Sequence, residues 1–98
     1  MKVLSRKILD EYCRKHSDAK THLDSWYYEV ENEEWKNPHD VKTRFAKASI
    51  IGGKLIVFDI KGGNYRLVVK AAYNSQKIVI KWFGTHKEYD KLDLKQWK

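Results

Sequence analysis

Residues 54–90 read KLIVFDIKGGNYRLVVKAAYNSQKIVIKWFGTHKEYD, and this stretch decides the fold. Three apolar runs in it are separated by two short segments of turn-forming residues, KGGN at 61–64 and YNSQ at 73–76. Apolar runs joined by segments that contain glycine, asparagine and serine are typical of antiparallel strands connected by tight turns. The stretch therefore predicts a three-stranded meander, followed by a polar cluster at residues 85–90 (THKEYD).

Two further strands are predicted upstream of the meander. Residues 49–51 (SII) are separated from residues 55–60 by Gly52 and Gly53, a two-residue turn that would join the two segments as a hairpin. Residues 1–4 form another short strand candidate. We therefore expect four sequential antiparallel strands, with one short strand at the start of the chain.

A first helix is predicted directly after residues 1–4. Ser5 is its expected N-cap, because a serine hydroxyl can accept a hydrogen bond from a free amide of the first turn. Cys13 is expected to be a core thiol, since only His16 is close enough in sequence to activate it. The apolar residues that share one face of this helix are Ile8, Leu9, Tyr12 and Cys13.

A second helix is predicted with Ser17 or Asp18 as its cap. Its apolar stripe has the spacing i, i+3, i+4, i+7 and consists of Leu23, Trp26, Tyr27 and Val30, with Trp35 beyond it. Its far end is acidic, with Glu29, Glu31, Glu33 and Glu34. Carboxylates spread around a helix without a histidine partner indicate a solvated face rather than a metal site.

A third, short helix is predicted to begin at Asn37. Asparagine is a good N-cap, Pro38 occupies the first helical position, and Asp40 carries negative charge in the first turn. Val41 and Phe45 then share one face. The predicted fold class is α+β, a small antiparallel sheet flanked by two or three N-terminal helices, in a single domain that covers residues 1–98.

The charge of the chain is unevenly distributed. The net charge is +7, from 20 basic and 13 acidic residues. Residues 1–40 hold seven basic and nine acidic residues, a net charge of −2, whereas residues 41–98 hold thirteen and four, a net charge of +9. A basic half that carries the sheet indicates an anionic partner, most simply a nucleic acid, although a merely soluble basic surface is the alternative.

Composition excludes several classes of protein. A single cysteine cannot form an internal disulfide, and no apolar run approaches the roughly 18 residues that a membrane span requires. The first residues do not resemble a signal peptide. No Cys/His spacing fits zinc and no glycine-rich loop fits a nucleotide. We therefore expect a cytoplasmic protein without a metal or another cofactor.

Alternation along the strands predicts which side chains face the helices. In residues 65–72 the odd-numbered positions are apolar, while Arg66 and Lys70 share the opposite face. In the next strand Trp82 is expected to point toward the core with the isoleucines, and Phe83 is expected to point away with Lys81. The pattern predicts helices on one face of the sheet and cations on the other.

Groups capable of proton transfer follow the last strand. His86 and Tyr89 are three residues apart in a segment compatible with a helix, so they could project together over the surface that carries Arg66 and Lys70. Imidazole can accept or donate a proton near neutral pH, a phenol can donate one, and cations can hold a phosphorane-like dianion. This set of groups is sufficient for metal-free RNA cleavage through the ribose 2′-hydroxyl. A simple turn cap at His86 remains the alternative.

The sequence resembles the HigB family of toxins, which belong to the RelE-like superfamily of bacterial toxin–antitoxin modules. The resemblance rests on residues 58–69 (FDIKGGNYRLVV) and 83–91 (FGTHKEYDK), with residues 3–7 (VLSRK) and 35–38 (WKNP) in support. The Gly-Thr-His-x-x-Tyr-Asp ending is its most specific part. The resemblance implies a RelE-like fold and mRNA interferase activity, usually at the decoding site of translating ribosomes. It also implies neutralisation by a helix-turn-helix antitoxin of the HigA type.

The resemblance also implies roles for single residues. His86 would transfer a proton, and Tyr89 would be a second proton-transfer group or a base-stacking group. Arg66 and Lys61 would stabilise the phosphate in the transition state. The residues expected to contact the RNA backbone are Lys70, Lys81 and Lys87.

Two other functions remain open from the sequence. The first is a non-catalytic module that binds RNA or the ribosome with the same basic sheet. The second, a nucleic-acid-binding repressor, is disfavoured because no predicted helix combines a basic face with an exposed recognition surface. If the chain is a toxin, the acidic second helix is a candidate contact for a basic antitoxin, through Glu29, Glu31 and Glu34.

Overall fold

The computed structural model describes residues 1–52 and 54–97. One sheet of five strands has the order β1-β5-β4-β3-β2. The strands are β1 (Lys2–Leu4), β2 (Ser49–Ile51), β3 (Leu55–Ile60), β4 (Tyr65–Ala72) and β5 (Lys77–Thr85). The helices are α1 (Lys7–Lys15), α2 (Lys20–Glu31), α3 (Pro38–Arg44) and α4 (His86–Tyr89), with 3-10 turns at Ser17–Ala19 and Leu94–Trp97.

The predicted meander is confirmed. Strands β2 to β5 pair antiparallel with their neighbours in sequence, and the turn at residues 61–64 places Ile60 opposite Tyr65. The first strand, β1, adds to β5 in parallel, with Val3 opposite Ile78. Three α-helices, one 3-10 turn and three strands separate β1 from β5, a connection long enough for a parallel pair. The sheet is therefore mixed, and the predicted α+β class is confirmed.

The face of the sheet toward the N-terminal helices carries the main core. Phe58 of β3 lies at its centre, with its ring centroid 5.4 Å from Trp26, 6.3 Å from Trp35 and 5.1 Å from Phe45. All of these rings except that of Phe45 are almost completely buried. Aromatic pairs at such distances add to the stabilisation that area burial provides. The stripe predicted for α2 is part of this core, through Leu23, Trp26 and Val30.

Two predicted helix caps are wrong. Ser5 has φ of +67°, and α1 begins at Lys7 without a side-chain cap, because backbone carbonyls of the preceding turn bind the first amides. The start of α2 also lacks a side-chain cap. The carboxylate of Asp18 instead accepts hydrogen bonds from the Tyr65 hydroxyl at 2.9 Å and from Lys61 Nζ at 2.7 Å. The Asp18 carboxylate therefore does not cap α2, because it is hydrogen-bonded to two residues that are distant in the sequence.

The predicted start of α3 is confirmed. Asn37 Oδ1 accepts a hydrogen bond from the Asp40 backbone N–H at 3.0 Å, and Pro38 is the first helical residue.

Cys13 lies on the packed side of α1, and burial raises the pKa of its thiol. A thiol with a raised pKa is a poor nucleophile at neutral pH, in agreement with the structural role predicted for it.

A β-bulge at Lys81 reverses the alternation along β5. Val68 of β4 is opposite Trp82, whereas Val69 is opposite Ile80, so Lys81 is an extra residue in β5. As a result Phe83 faces the helices and is 2% exposed. Trp82 lies on the opposite face. The predicted orientations of Trp82 and Phe83 were therefore wrong, because an extra residue shifts every later side chain to the other face.

The face opposite the helices is not an open cationic surface along its whole length. Leu55, Val57 and Val68 are buried there, which the prediction of a cation-bearing face did not include. Side chains that pack over them come from the edge strand β2, from β5 itself and from the segment after β5: Ile51, Trp82, Tyr89, Leu94 and Trp97. The middle of this face is therefore apolar and covered, whereas its end near Arg66 is open.

The longest helix is α2, with 12 residues. Among residues 1–52 and 54–97, no helix has the length and apolar character needed to cross a membrane.

Candidate active site

The β3–β4 turn and the end of β5 lie side by side. Arg66 near the start of β4 is directly opposite Gly84 near the end of β5. The backbone N–H of His86, the first residue of α4, donates to the carbonyl of Asn64 at 3.0 Å. This hydrogen bond attaches the start of α4 to the turn and places the His86 backbone next to the start of β4.

An open groove of about 530 Å³ lies at this end of the sheet. Arg66 and His86, which the sequence analysis assigned to one surface, both line it. Its other lining residues are Asp59, Gly62, Gly63, Asn64, Thr85 and Lys87. The groove therefore combines a guanidinium, an imidazole and an ammonium group, which is a suitable set for an anionic ligand.

Arg66 is held in place by hydrogen bonds from its guanidinium. Its Nε lies 3.3 Å from Asp59 Oδ1, and its Nη1 donates to the Gly63 carbonyl at 2.6 Å. The Arg66 side chain is 17% exposed, so much of its charge is shielded from water. Gly63 has φ of +95°, in the left-handed region that favours glycine. The absence of a side chain at Gly63 therefore suits a turn whose carbonyl accepts from the guanidinium.

His86 is accessible to a ligand. Its side chain is 51% exposed, and its Nδ1 lies 3.5 Å from Oδ2 of Asp90, the residue that follows α4. A carboxylate beside one ring nitrogen orients an imidazole and leaves the other nitrogen available for proton transfer. His86 is therefore exposed, oriented and adjacent to a cation.

Tyr89 packs below Arg66, against the apolar cluster of Leu55, Val57 and Val68, and is not among the residues that line the groove with His86. The guanidinium carbon of Arg66 is 5.9 Å from the centroid of the Tyr89 ring, and the Trp82 ring is 6.3 Å from it. Burial raises the pKa of the Tyr89 phenol, and the nearby Arg66 charge opposes that shift. The phenol therefore stays protonated at neutral pH, as a proton donor must.

Gly84 makes this packing possible. A Cβ at position 84 would lie 2.5 Å from two atoms of the Trp82 ring and 3.0 Å from Glu88 Oε1. Such distances are too short for any side chain. The absence of a Cβ therefore allows Trp82 and the carboxylate of Glu88 to lie against the β5 backbone.

Comparison with known proteins relates this arrangement to a family. The family model HigB_toxin, described as the RelE-like toxic component of a toxin–antitoxin system, matches residues 19–92, which is well over half of the chain. The chain belongs to the HigB toxin family. The resemblance and the RelE-like fold that the sequence predicted are therefore confirmed.

Curated relatives carry the HigB name. The mRNA interferase HigB of Escherichia coli O6:H1 (strain CFT073) is 26% identical over 94 residues, which cover 94% of this chain and 91% of the relative. The mRNA interferase toxin HigB of E. coli K12 is 29% identical over 92 residues, which cover 92% and 88% respectively. The mRNA interferase HigB of Shigella flexneri matches with the same identity and coverage.

The four lysines that the HigB resemblance singled out have different positions. Lys87 is exposed and lines the groove. Lys61 is outside its lining, because its Nζ is bonded to Asp18 at 2.7 Å. Lys70 is half-buried on the same face of β4 as Arg66, two residues beyond Val68. Lys81 is the extra residue of the bulge in β5. The structure therefore brings Lys87 to the groove of this HigB toxin, but not the other three.

Asp59 is a groove residue that the sequence analysis missed. A signal for it was present, because a four-residue turn at 61–64 pairs residue 60 with residue 65 and therefore residue 59 with residue 66. The pair consists of an acid and a base on the same face of two adjacent strands. Counting outward from the turn would have predicted this partner of Arg66.

Proposed function

We propose that this HigB toxin is an endoribonuclease that cleaves mRNA without a metal ion, by attack of a ribose 2′-hydroxyl on the adjacent phosphate. The observation that carries the proposal is the shared groove, in which Arg66 and His86 face the same open volume. The names of the E. coli and Shigella flexneri relatives support mRNA as the substrate.

The proposed reaction breaks one P–O bond and forms another. The 2′-oxygen attacks phosphorus as it loses its proton, and the 5′-oxygen of the next nucleotide leaves as it gains one. The products are a 2′,3′-cyclic phosphate and a 5′-hydroxyl. The site therefore needs a proton acceptor, a proton donor and a stabiliser for the negative charge that develops on the phosphate oxygens.

Arg66 is the proposed stabiliser of that charge. A guanidinium presents several N–H donors in a planar fork that matches two phosphate oxygens. Asp59 and Gly63 fix its orientation before the substrate arrives. Preorganised donors in a partly shielded site stabilise a transition state more effectively than donors in bulk water. Lys87 on the groove wall adds positive charge for the RNA backbone.

His86 and Tyr89 are the proposed proton-transfer groups. A neutral imidazole accepts a proton readily, and the exposed ring of His86 can approach a ribose hydroxyl. The phenol of Tyr89, whose pKa is raised by burial, retains the proton that a leaving oxygen requires. Lys61 would have to release Asp18 before it could contribute, so we assign it no part in the chemistry.

The proposal extends to two partners. The strongly basic half of the chain at residues 41–98 suits an RNA-rich surface, and we propose that cleavage takes place in the decoding site of a translating ribosome. We also propose that a HigA-type helix-turn-helix antitoxin neutralises the toxin. Membership of a toxin–antitoxin family supports the existence of an antitoxin.

A cleavage assay with purified protein tests the reaction. A 5′-labelled mRNA is offered free with EDTA present and, separately, bound to programmed ribosomes in the Mg²⁺ buffer that keeps them assembled, and the 3′-ends of the products are identified by mass spectrometry. We expect 2′,3′-cyclic phosphate ends, and no cut where a 2′-deoxyribose replaces the attacking ribose. A requirement for added Mg²⁺, or cleavage at the deoxy position, would contradict the proposed chemistry.

Site variants test the residues. His86→Ala combined with Tyr89→Phe should abolish cleavage and leave RNA binding within about threefold, because proton transfer rather than affinity is removed. His22→Ala is the matched control, an exposed histidine on α2 outside the groove lining. If the double variant still arrests growth on expression, the chain is instead a non-catalytic RNA- or ribosome-binding module.

A further inference from the structure

The helix that carries His86 and Tyr89 is too short to hold its own orientation. It has four residues, from His86 to Tyr89. Isolated helices shorter than about 12 residues are marginal in water, so contacts with other elements must fix its direction. The proposed nuclease chemistry depends on that direction, because both proton-transfer groups project from this one turn.

A single carboxylate joins α4 to the rest of the protein. Glu88 Oε1 accepts a hydrogen bond from the Thr85 backbone N–H at 2.8 Å, and the Glu88 backbone N–H donates to Thr85 Oγ1 at 3.2 Å. These two bonds form a capping box. The same Oε1 atom also accepts a hydrogen bond from the Tyr12 hydroxyl of α1. Glu88 thus connects the start of α4 with a helix 76 residues earlier in the chain.

The Tyr12 side chain is held in one position by neighbouring rings. Its ring stacks on His16 with centroids 4.5 Å apart and meets Phe83 edge-on at 4.8 Å. Phe83 is almost completely buried. Rings packed on two sides have little rotamer freedom, so the Tyr12 hydroxyl is presented in one place. The backbone of Gly84 limits the Glu88 carboxylate on its other side.

The hydrogen bond shifts the pKa values of both groups. The hydrogen bond from Tyr12 is the largest cause that lowers the pKa of Glu88. Burial, and then the contact with Glu88, raises the pKa of the Tyr12 phenol far above its usual value. A phenol donor and a carboxylate acceptor are therefore both present at neutral pH.

We propose that Tyr12 and Glu88 are positioning residues for the nuclease reaction: their hydrogen bond sets the direction of α4 and thereby aims His86 at the groove. The proposal rests on the proposed function for its kinetic effect. Neither side chain lines the groove, and the Tyr12 hydroxyl and the Glu88 carboxylate are bonded to each other, so neither is expected to touch RNA. Losing the bond should slow the chemical step and leave substrate binding almost unchanged.

Four variants separate positioning from general stability. Tyr12→Phe and Glu88→Ala each remove the bond. Glu88→Gln keeps an oxygen that accepts from both Thr85 and Tyr12, so it should rescue the function. Tyr27→Phe is the matched control, because Tyr27 lies on α2, where Glu31 of the same helix raises the pKa of its phenol.

Steady-state cleavage of a labelled mRNA on programmed ribosomes, with the ribosomes in excess over the toxin, gives the first readout. We expect kcat to fall about tenfold or more in Tyr12→Phe and Glu88→Ala, with KM within about twofold, because small misplacements of a reacting group are costly. A double variant that combines Tyr12→Phe with Glu88→Ala should be no slower than the slower of the two single variants, since each substitution removes the same bond. Glu88→Gln and Tyr27→Phe should stay within about twofold of the unchanged protein.

Amide hydrogen exchange gives a readout that does not require cleavage. The His86 N–H is bonded to the Asn64 carbonyl, so its exchange reports how firmly α4 is held against the turn. We expect exchange about fivefold faster or more in Tyr12→Phe than in Tyr27→Phe. If the unchanged protein cuts no RNA, the proposed function fails while this measurement still decides the positioning role.

Three results would overturn the positioning role. The first is His86 exchange in Tyr12→Phe equal to that in Tyr27→Phe. The second is a normal kcat in Tyr12→Phe with a lowered melting temperature, which would show that the bond serves only stability. The third is a Glu88→Gln variant as slow as Glu88→Ala, which would show that the negative charge rather than the bond is needed.

Discussion

Asp59 and Arg66 are directly opposite each other on β3 and β4, and their side chains form an ion pair with Nε 3.3 Å from Oδ1. The carboxylate has two opposing effects on the groove. It orients the guanidinium, which favours catalysis, and it neutralises part of the positive charge that would attract RNA. The pair thus sets a balance between substrate affinity and the rate of the chemical step.

The first prediction concerns that balance. Asp59→Asn should tighten binding of an uncleavable 2′-deoxy mRNA analogue by about threefold, since a partly exposed ion pair is worth under about 1 kcal/mol. Fluorescence anisotropy at fixed salt measures the affinity. Asp93→Asn is the control with the same change in net charge, because Asp93 lies outside the groove lining. Equal tightening in both variants would show that only the overall charge matters.

Replacing Arg66 by lysine tests the fork geometry. Arg66→Lys keeps the charge but removes the planar set of donors that binds Asp59 and Gly63. We expect cleavage to slow by about tenfold to a hundredfold. Arg14→Lys on the exposed side of α1 is the matched control. A rate for Arg66→Lys equal to that of the control would mean that a point charge is sufficient at this position.

Gly84→Ala should damage both stability and the site. The added Cβ would overlap the Trp82 ring, so the ring must move or β5 must shift. We expect the free energy of unfolding to fall by about 1–3 kcal/mol, as in other overpacked sites. Urea denaturation and tryptophan fluorescence of the folded state measure the two effects. Ala72→Ser, an exposed change on β4, should alter stability by no more than about 0.5 kcal/mol.

Asp18 predicts a pH dependence of stability. Hydrogen bonds from Lys61 and Tyr65 lower the pKa of Asp18 in the folded protein. A carboxyl group whose pKa is lower when folded contributes stability above its unfolded pKa of about 3.9, and this contribution is lost as the pH falls through the folded value. Asp18→Asn should therefore reduce the free energy of unfolding at pH 7 and have much less effect near pH 2.

Urea denaturation at both pH values measures this difference. Glu11→Gln on the exposed face of α1 is the control for loss of one carboxylate. A loss of stability in Asp18→Asn that is the same at pH 7 and pH 2 would mean that the carboxylate charge has no part in it.

The acidic end of α2 gives a prediction about the antitoxin. Arg44 forms ion pairs with Glu29 at 2.8 Å and with Glu33 at 4.0 Å. Glu29 is therefore removed from the proposed antitoxin contact, which keeps Glu31 and Glu34. Glu31→Lys with Glu34→Lys reverses charge without breaking those pairs. We expect about tenfold weaker binding of a HigA-type antitoxin in a titration, through lost charge complementarity. A double reversal at Glu11 and Asp10 of α1 is the control, and equal weakening there would remove the hypothesis.

Short-range sequence signals predicted much of the fold. The turn at 61–64, the start of α3 at Asn37 and the apolar stripe of α2 all depend on neighbouring residues, and all three are confirmed. The two failed caps at Ser5 and Asp18 used the same kind of reasoning. They failed because other groups were available: backbone carbonyls for the first turn of α1, and Lys61 and Tyr65 for the Asp18 carboxylate.

The candidate site was predictable only in part. Arg66 and His86 follow from strand alternation and from the polar cluster after β5, and both line the groove. Lys61 looked equivalent because it is in the adjacent turn, but its partner Asp18 is 43 residues away in sequence. The bulge at Lys81 left no signal in the alternation of β5, since Ile80, Trp82 and Phe83 are all apolar. The partner of Lys61 and the position of the bulge both depend on how the helices and the sheet pack together.

The sequence by itself determined the strands, their order within the meander and the cross-strand neighbours of each turn, because tight turns and alternating polarity fix the register of adjacent strands. It also determined the basic character of the sheet-bearing half. Only the tertiary structure decided that Phe83 rather than Trp82 enters the core and that Tyr12 holds the helix of His86. The reason is physical: these outcomes depend on contacts between residues distant in the chain, which exist only once the helices have packed on the sheet.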